Sequence, residues 1–186
     1  VNTLKLFRYG PVSPLLLLFL LLLIAGAIGC AVPPPEIGTS GRRGERVFRL
    51  FLEVDDGDTV RYRRRSMRFL GVDTPEIAHP EHGFYRDQPF GQEARMFTRV
   101  QLKKARVVTY IAAGEDRYGR LLVHFFVDGY PLSVRIVEEG YGYETVSAFG
   151  DNGFPEIARM IRRASLLHPD LPFENPYQWR VRNRAP

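Results

Sequence analysis

The chain has one cysteine, Cys30, and only three lysines, Lys5, Lys103 and Lys104, among 26 basic residues. A lone cysteine excludes an internal disulfide framework, so the fold must be held by packing alone. Scarce lysine makes the basic surface one of guanidinium groups, which suit bidentate contact with phosphate or carboxylate better than ammonium does. There is no internal repeat, no low-complexity tract beyond a short proline-rich segment, and no sign of a second core. What is present is 186 residues at 45% hydrophobic content, enough for one domain that buries a core. A sequence pI near 9.6 and a formal charge of +5 point to an anionic partner, although charge governs solubility and non-specific attraction rather than fold.

The first thirty residues do not read as part of that core. Lys5 and Arg8 precede an uncharged apolar run over residues 15–29, followed by Cys30 and AVPPPE, which is the basic, apolar and small-residue order of an export signal. The run is shorter than the roughly 20 residues that span a bilayer, though counting from Pro11 lengthens it enough to anchor. AIGC resembles the lipobox of bacterial lipoproteins, with Ala27 where that pattern usually has leucine. A lipidated Cys30, a cleaved secretion signal and a retained anchor all remain open, and each puts the rest of the chain outside the cytoplasm. Residues 31–45 read as a flexible tether, 46–170 as the folded domain and 171–186 as a C-terminal tail.

From Val47, RVFRLFLEV alternates as a half-buried strand and runs into Asp56-Gly57, a hairpin signal. VRYRRRSMRFLGV supplies the next strand or two, with a turn expected near Ser66. FGQEARMFTRVQL places Phe90, Ala94, Phe97 and Gln101 on one helical face. ARVVTYIAAG and RLLVHFFVDG read as two further strands, Ser133 as the cap of a short helix ending at Gly140, and Pro155 as the first turn of a helix burying Ile157, Met160, Ile161 and Ala164. Five strands with about three α-helices point to a β-barrel with helices (α+β), and among small antiparallel barrels to the five-stranded OB-fold, whose open face binds oligonucleotides.

Asp56, Asp58, Arg68, Asp73, Glu76 and Arg120 all fall at predicted strand ends or turns. Singly, each has an ordinary reading as a turn former or a solvated ion pair. Together they demand more, because Asp73 and Glu76 repel at close range unless a cation shares the site. A hard, oxygen-ligated cation such as calcium answers this with carboxylates, a backbone carbonyl and water. Thr74 precedes a proline, which biases it to extended backbone and aims its carbonyl. DDGDTV lacks the spacing and terminal glutamate of an EF-hand, so that loop is excluded.

DGDT at 56–59, RFLGVDTPE at 68–76, GQEA at 91–94 and DRYGR at 116–120 occur in the order and rough spacing of the staphylococcal nuclease (thermonuclease) family, which the chain resembles over most of residues 47–167. The resemblance implies an OB-fold barrel and calcium-dependent hydrolysis of DNA and RNA to 3′-phosphate products. It implies Asp58, Asp73 and the Thr74 carbonyl as calcium ligands, Arg68, Glu76 and Arg120 as catalytic positions, and Arg117 and Tyr118 as contacts to the terminal phosphate and nucleotide.

The 77–87 segment, with His79, Glu81 and His82, is longer than in the staphylococcal protein and is expected to be a surface loop beside the site. YGYE after Gly140 leaves the family's stacking aromatic unassigned between Tyr141 and Tyr143, and Trp179 of PYQWR is expected to pack the tail onto the barrel. The expected partners are single-stranded DNA and RNA, and the membrane through an N-terminal lipid or anchor, for a protein acting as a monomer. Two other functions fit the sequence: a non-catalytic OB-fold module that holds nucleic acid, and an envelope scaffold whose basic face binds anionic polymers.

Overall fold

The computed structural model describes residues 44–183. The export segment 1–30 with Cys30, and nearly all of the 31–45 tether, lie outside the described residues. The strands in chain order are β1 (Glu45–Arg46), β2 (Leu52–Val54), β3 (Thr59–Tyr62), β4 (Arg65–Phe69), β5 (Val72–Asp73), β6 (Val108–Glu115), β7 (Leu121–Val127), β8 (Tyr130–Pro131) and β9 (Tyr143–Glu144). The helices are α1 (Gly91–Lys104), α2 (Leu132–Glu138), α3 (Val146–Phe149), α4 (Pro155–Ser165) and α5 (Pro176–Asn183).

The main sheet runs β1-β6-β7-β4-β3-β2, with β8 added beside β7. All its pairings are antiparallel except β4 with β7, giving a curled mixed sheet of the OB-fold type. The two ends of that order are halves of one stretch of chain. The run expected as a single strand from Val47 is interrupted by a 3-10 turn at Arg49–Phe51. Before the turn β1 pairs with β6, and after it β2 pairs with β3. One bent segment therefore serves both edges of the sheet, which is how a five-stranded barrel removes its open edges.

The Asp56-Gly57 hairpin forms as expected, with Val54 opposite Val60 and Leu52 opposite Tyr62. The next turn falls earlier than Ser66, which lies within β4. It is made by Arg63 and Arg64, both at positive φ (49° and 68°), the twist that two-residue hairpins require. In α1 the buried stripe is Gly91, Ala94, Thr98 and Leu102, so the expected face of Phe90, Phe97 and Gln101 is rotated to its flank. Ser133 is not a cap but a buried residue inside α2. Among the described residues there are five α-helices where about three were expected, because a short α3 of only four residues and α5 in the presumed tail add two.

Val60, Val123, Leu132, Ile136, Phe154, Ile157 and Ile161 are wholly buried between the sheet, α2 and α4. At about 1.5–3 kcal/mol for each buried side chain, this cluster is the main source of rigidity behind the strands. Helix α4 follows its sequence pattern, burying Ile157, Ala158, Ile161 and Ala164 with Met160 at the margin. Strands β5 and β9 form a separate two-stranded ribbon that pairs Asp73 with Tyr143.

Candidate active site

Three short stretches converge at the end of the β3-β4 hairpin. The register sets Thr59 opposite Arg68, and the Phe69 amide donates to the Asp58 carbonyl at 2.8 Å, so Asp58 lies beside Arg68 although ten residues separate them. The Asp58 side chain is fully buried. Its carboxylate accepts the Thr74 amide at 2.7 Å and the Thr59 hydroxyl at 3.1 Å, and it is paired with Arg68 Nη1. Arg68 Nη2 reaches Asp73 Oδ1 at 2.5 Å, so one guanidinium joins the two aspartates.

The linked motifs touch one another directly. A Cβ on Gly57 would lie 2.6 Å from Thr74 Oγ1 and 2.9 Å from Ala94 Cβ, so only glycine lets the hairpin loop rest against both the DTPE and the GQEA segments. Thr98 Oγ1 donates to the Gly57 carbonyl and fastens that loop to α1. A Cβ on Gly91 would be driven into the Glu76 carbonyl oxygen, so the first residue of α1 must be glycine for Glu76 to sit where it does. Buried Gln88 holds the Glu76 backbone from both sides: its Oε1 accepts the Glu76 amide at 3.2 Å, and its own amide donates to the Glu76 carbonyl at 2.9 Å.

The Glu76 side chain faces Asp73, and Arg180 of α5 bridges the two carboxylates. Arg180 Nη1 is 3.1 Å from Asp73 Oδ1, Nη2 is 2.9 Å from Asp73 Oδ2, and Nη1 also pairs with Glu76 Oε1. Burial and repulsion by Asp56 raise the Glu76 carboxyl above its ordinary value against the pull of Arg180. Burial pushes Asp73 the same way, but Arg68 and Arg180 outweigh it and hold that carboxyl below the usual range. Arg180 was missed as a site residue. PYQWR reads only as an aromatic tail, and no local pattern signals a partner 104 to 107 residues away.

Arg120 stands apart from this cluster. Asp116 accepts the Tyr118 and Arg120 amides and pairs with Arg120 Nε at 2.8 Å, forming a tight turn closed at Gly119. The β4-β7 register pairs Arg68 with Leu122, and Arg120 lies in the turn just before β7, with its guanidinium held by Asp116. Exposed Tyr118 lies under both neighbouring cations, 4.8 Å from Arg117 and 5.7 Å from Arg120. Tyr141 is stacked on Phe97 at 4.7 Å and the Tyr143 hydroxyl donates to the Phe173 carbonyl, so both aromatics after Gly140 have internal partners. In the 77–87 loop, Pro80–His82 forms a 3-10 turn, the His79 ring contacts Glu81, and the Ala78 amide is fixed by Asp87.

The donor set suits a hard cation. Among the described residues no cluster of three or more acidic, His or Cys side chains is arranged to ligate a metal, and the oxygens that converge here are the Asp58 and Asp73 carboxylates. Asp58 and Asp73 converge on one positive group, and Thr74 Oγ1 is buried beside them without a hydrogen-bond partner. That combination fits calcium, which completes its shell with carbonyls and water.

Comparison with known proteins identifies the family. Residues 66–160 match the model of the family described as staphylococcal nuclease homologue. The thermonuclease of Staphylococcus hyicus is 33% identical over 94 residues, covering 48% of this chain and 54% of that protein. Endonuclease YncB of Bacillus subtilis is 30% identical over 107 residues, covering 52% and 49%. A probable staphylococcal-like nuclease of Oryza sativa is 28% identical over 131 residues, covering 67% and 35%. The chain spans about half the length of the first two relatives and about a third of the plant protein. The family match encloses Arg68, Asp73, Thr74, Glu76 and Arg120 but ends before α5, so Arg180 lies beyond it. With the barrel order, the touching motifs and this match in agreement, the chain belongs to the staphylococcal nuclease family.

Proposed function

We propose that this protein is an endonuclease that hydrolyses phosphodiester bonds in DNA and RNA with calcium, leaving 3′-phosphate ends. The observation that carries the reading is the buried cluster in which Arg68 bridges Asp58 and Asp73 with Glu76 alongside. A surface that only held nucleic acid would have no use for a desolvated glutamate next to its arginines.

Asp58, Asp73 and the Thr74 carbonyl would hold calcium, which when bound supplies positive charge to the phosphate and acidity to water. Glu76, raised by burial and Asp56, suits the acceptance of a water proton or the ordering of that water. Charge developing on the phosphoryl oxygens would be met by the paired N–H groups of Arg68 and Arg120. Arg117 and the exposed Tyr118 ring would contact the terminal phosphate and nucleotide.

A chain starting at Ala31 should degrade single-stranded DNA with calcium and stop on chelation. Glu76→Gln and Arg68→Ala should each be about 100-fold slower or worse. Binding without cleavage at any calcium level would replace this reading by the non-catalytic OB-fold module. Residues 1–30 extend the proposal to an exported protein, membrane-attached through Cys30 or secreted. Metabolic labelling with a fatty acid should mark the full chain and not Cys30→Ala, and equal labelling would remove lipidation.

A further inference from the structure

We propose that the C-terminal helix completes the site, and that Arg180 is a positioning residue that clamps the Glu76 and Asp73 carboxylates in fixed relation. The inference rests on the nuclease reading for its consequence and on geometry for its substance. Three carboxylates share one network of two guanidinium groups: Asp58 and Asp73 on Arg68, Asp73 and Glu76 on Arg180. Asp73 is common to both arginines. Without Arg180, Asp73 keeps a cation and Glu76 loses its only charge-paired partner among the described residues.

The helix is built to deliver that side chain. Trp179, the residue before Arg180, is buried with its ring 5.8 Å from Phe84, inside the loop that starts at Glu76. Phe173, just upstream, is wedged between Phe90 at 5.5 Å and the edge of Tyr143 at 5.7 Å. Gln88 donates its side-chain amide to the Glu174 carbonyl at 2.6 Å while its carbonyl end holds the Glu76 amide. The same glutamine therefore ties the tail to the backbone of the residue whose side chain Arg180 grips. Glu76 is gripped at amide, carbonyl and carboxylate, and the last of these grips comes wholly from α5. A paired, bidentate guanidinium is a directional clamp that an ammonium cannot reproduce in full.

Two measurements test this, and the first needs neither metal nor substrate. In a thermal double-mutant cycle, Arg180→Gln should lower the melting midpoint by leaving Glu76 and Asp73 facing each other, and adding Glu76→Gln should restore part of the loss. Additive effects would overturn the clamp. In the second, Arg180→Gln should reduce kcat on single-stranded DNA by about 100-fold with KM changed by less than about threefold, and Arg180→Lys should recover part of it. Fluorescence of Trp179, the single tryptophan, should stay as in the wild type in both variants and so report that the tail is still docked. Unchanged or faster turnover in Arg180→Gln would overturn the positioning role. A wild-type chain that cleaves nothing would sink the nuclease reading and this role with it, and the cycle would still report whether the clamp exists.

Discussion

Replacing Gly91 by alanine adds one methyl group at the point where α1 begins and should disturb Glu76 more than many larger changes. The new Cβ would overlap the Glu76 carbonyl oxygen, reach 3.0 Å from its carbonyl carbon and come within 3.4 Å of the Pro75 carbonyl oxygen. Nothing at the far end of a flexible side chain is available to yield, because all three atoms are backbone. The Glu76 peptide is itself pinned on both sides by Gln88. Relief requires α1 and the Glu76 peptide to separate by about 1 Å, a strain of about 1–3 kcal/mol by the usual cost of overpacking. Alanine returns about 0.4–1 kcal/mol by restricting the unfolded chain, so the net loss should be about 1–2 kcal/mol. The larger effect should be on turnover, since about 1 Å of misplacement at a reacting group costs about 100-fold. The assay is thermal unfolding together with the proposed cleavage of single-stranded DNA in the presence of calcium. Gly114→Ala serves as the control, because a Cβ there meets nothing within 4 Å. Wild-type turnover in Gly91→Ala, or equal effects at the two glycines, would refute the reasoning.

Two other perturbations test separate parts of the structure. Burial lowers the His124 pKa from 6.5 to about 4, and neither ring nitrogen has a hydrogen-bond partner, so the ring is neutral when folded. The unfolded state then binds the extra proton, so His124 contributes stability that is full above pH 6.5 and is lost as pH falls toward about 4, about 3 kcal/mol in all. His124→Leu should therefore flatten the stability profile across that window in denaturant titrations, and an unchanged slope would contradict a buried neutral histidine. Trp179→Ala should cost about 3 kcal/mol through the lost packing on Phe84 and should expose α5 to limited proteolysis at wild-type-resistant sites. A tail that stays protease-resistant would mean that Trp179 does not anchor it.

Much of the barrel was readable because its instructions are local. Asp56-Gly57 marks a hairpin by backbone conformation alone, and the apolar pattern of α4 survives intact in the fold. The run from Val47 misled because its alternation suits a strand on either side of the 3-10 turn, and only the need to serve β6 and β3 together bends it. Ser133 misled in the opposite way. It has the chemistry of a cap, but β8 delivers Pro131 to that position and draws the serine into the core.

The sequence by itself determined which residue types would meet at the site, since Asp58, Arg68, Asp73, Thr74 and Glu76 come from motifs whose spacing is set by one hairpin and one short connection. It also determined the glycines at 57 and 91, whose missing side chains let the motifs touch. Only the tertiary structure decided which cations those acids would face. Charge is not directional along a chain, and any of many arginines satisfies a carboxylate equally well on paper. Arg180 is selected because Trp179 packs against Phe84 and Gln88 holds Glu174, contacts that exist once the barrel, the loop and the tail have closed on one another.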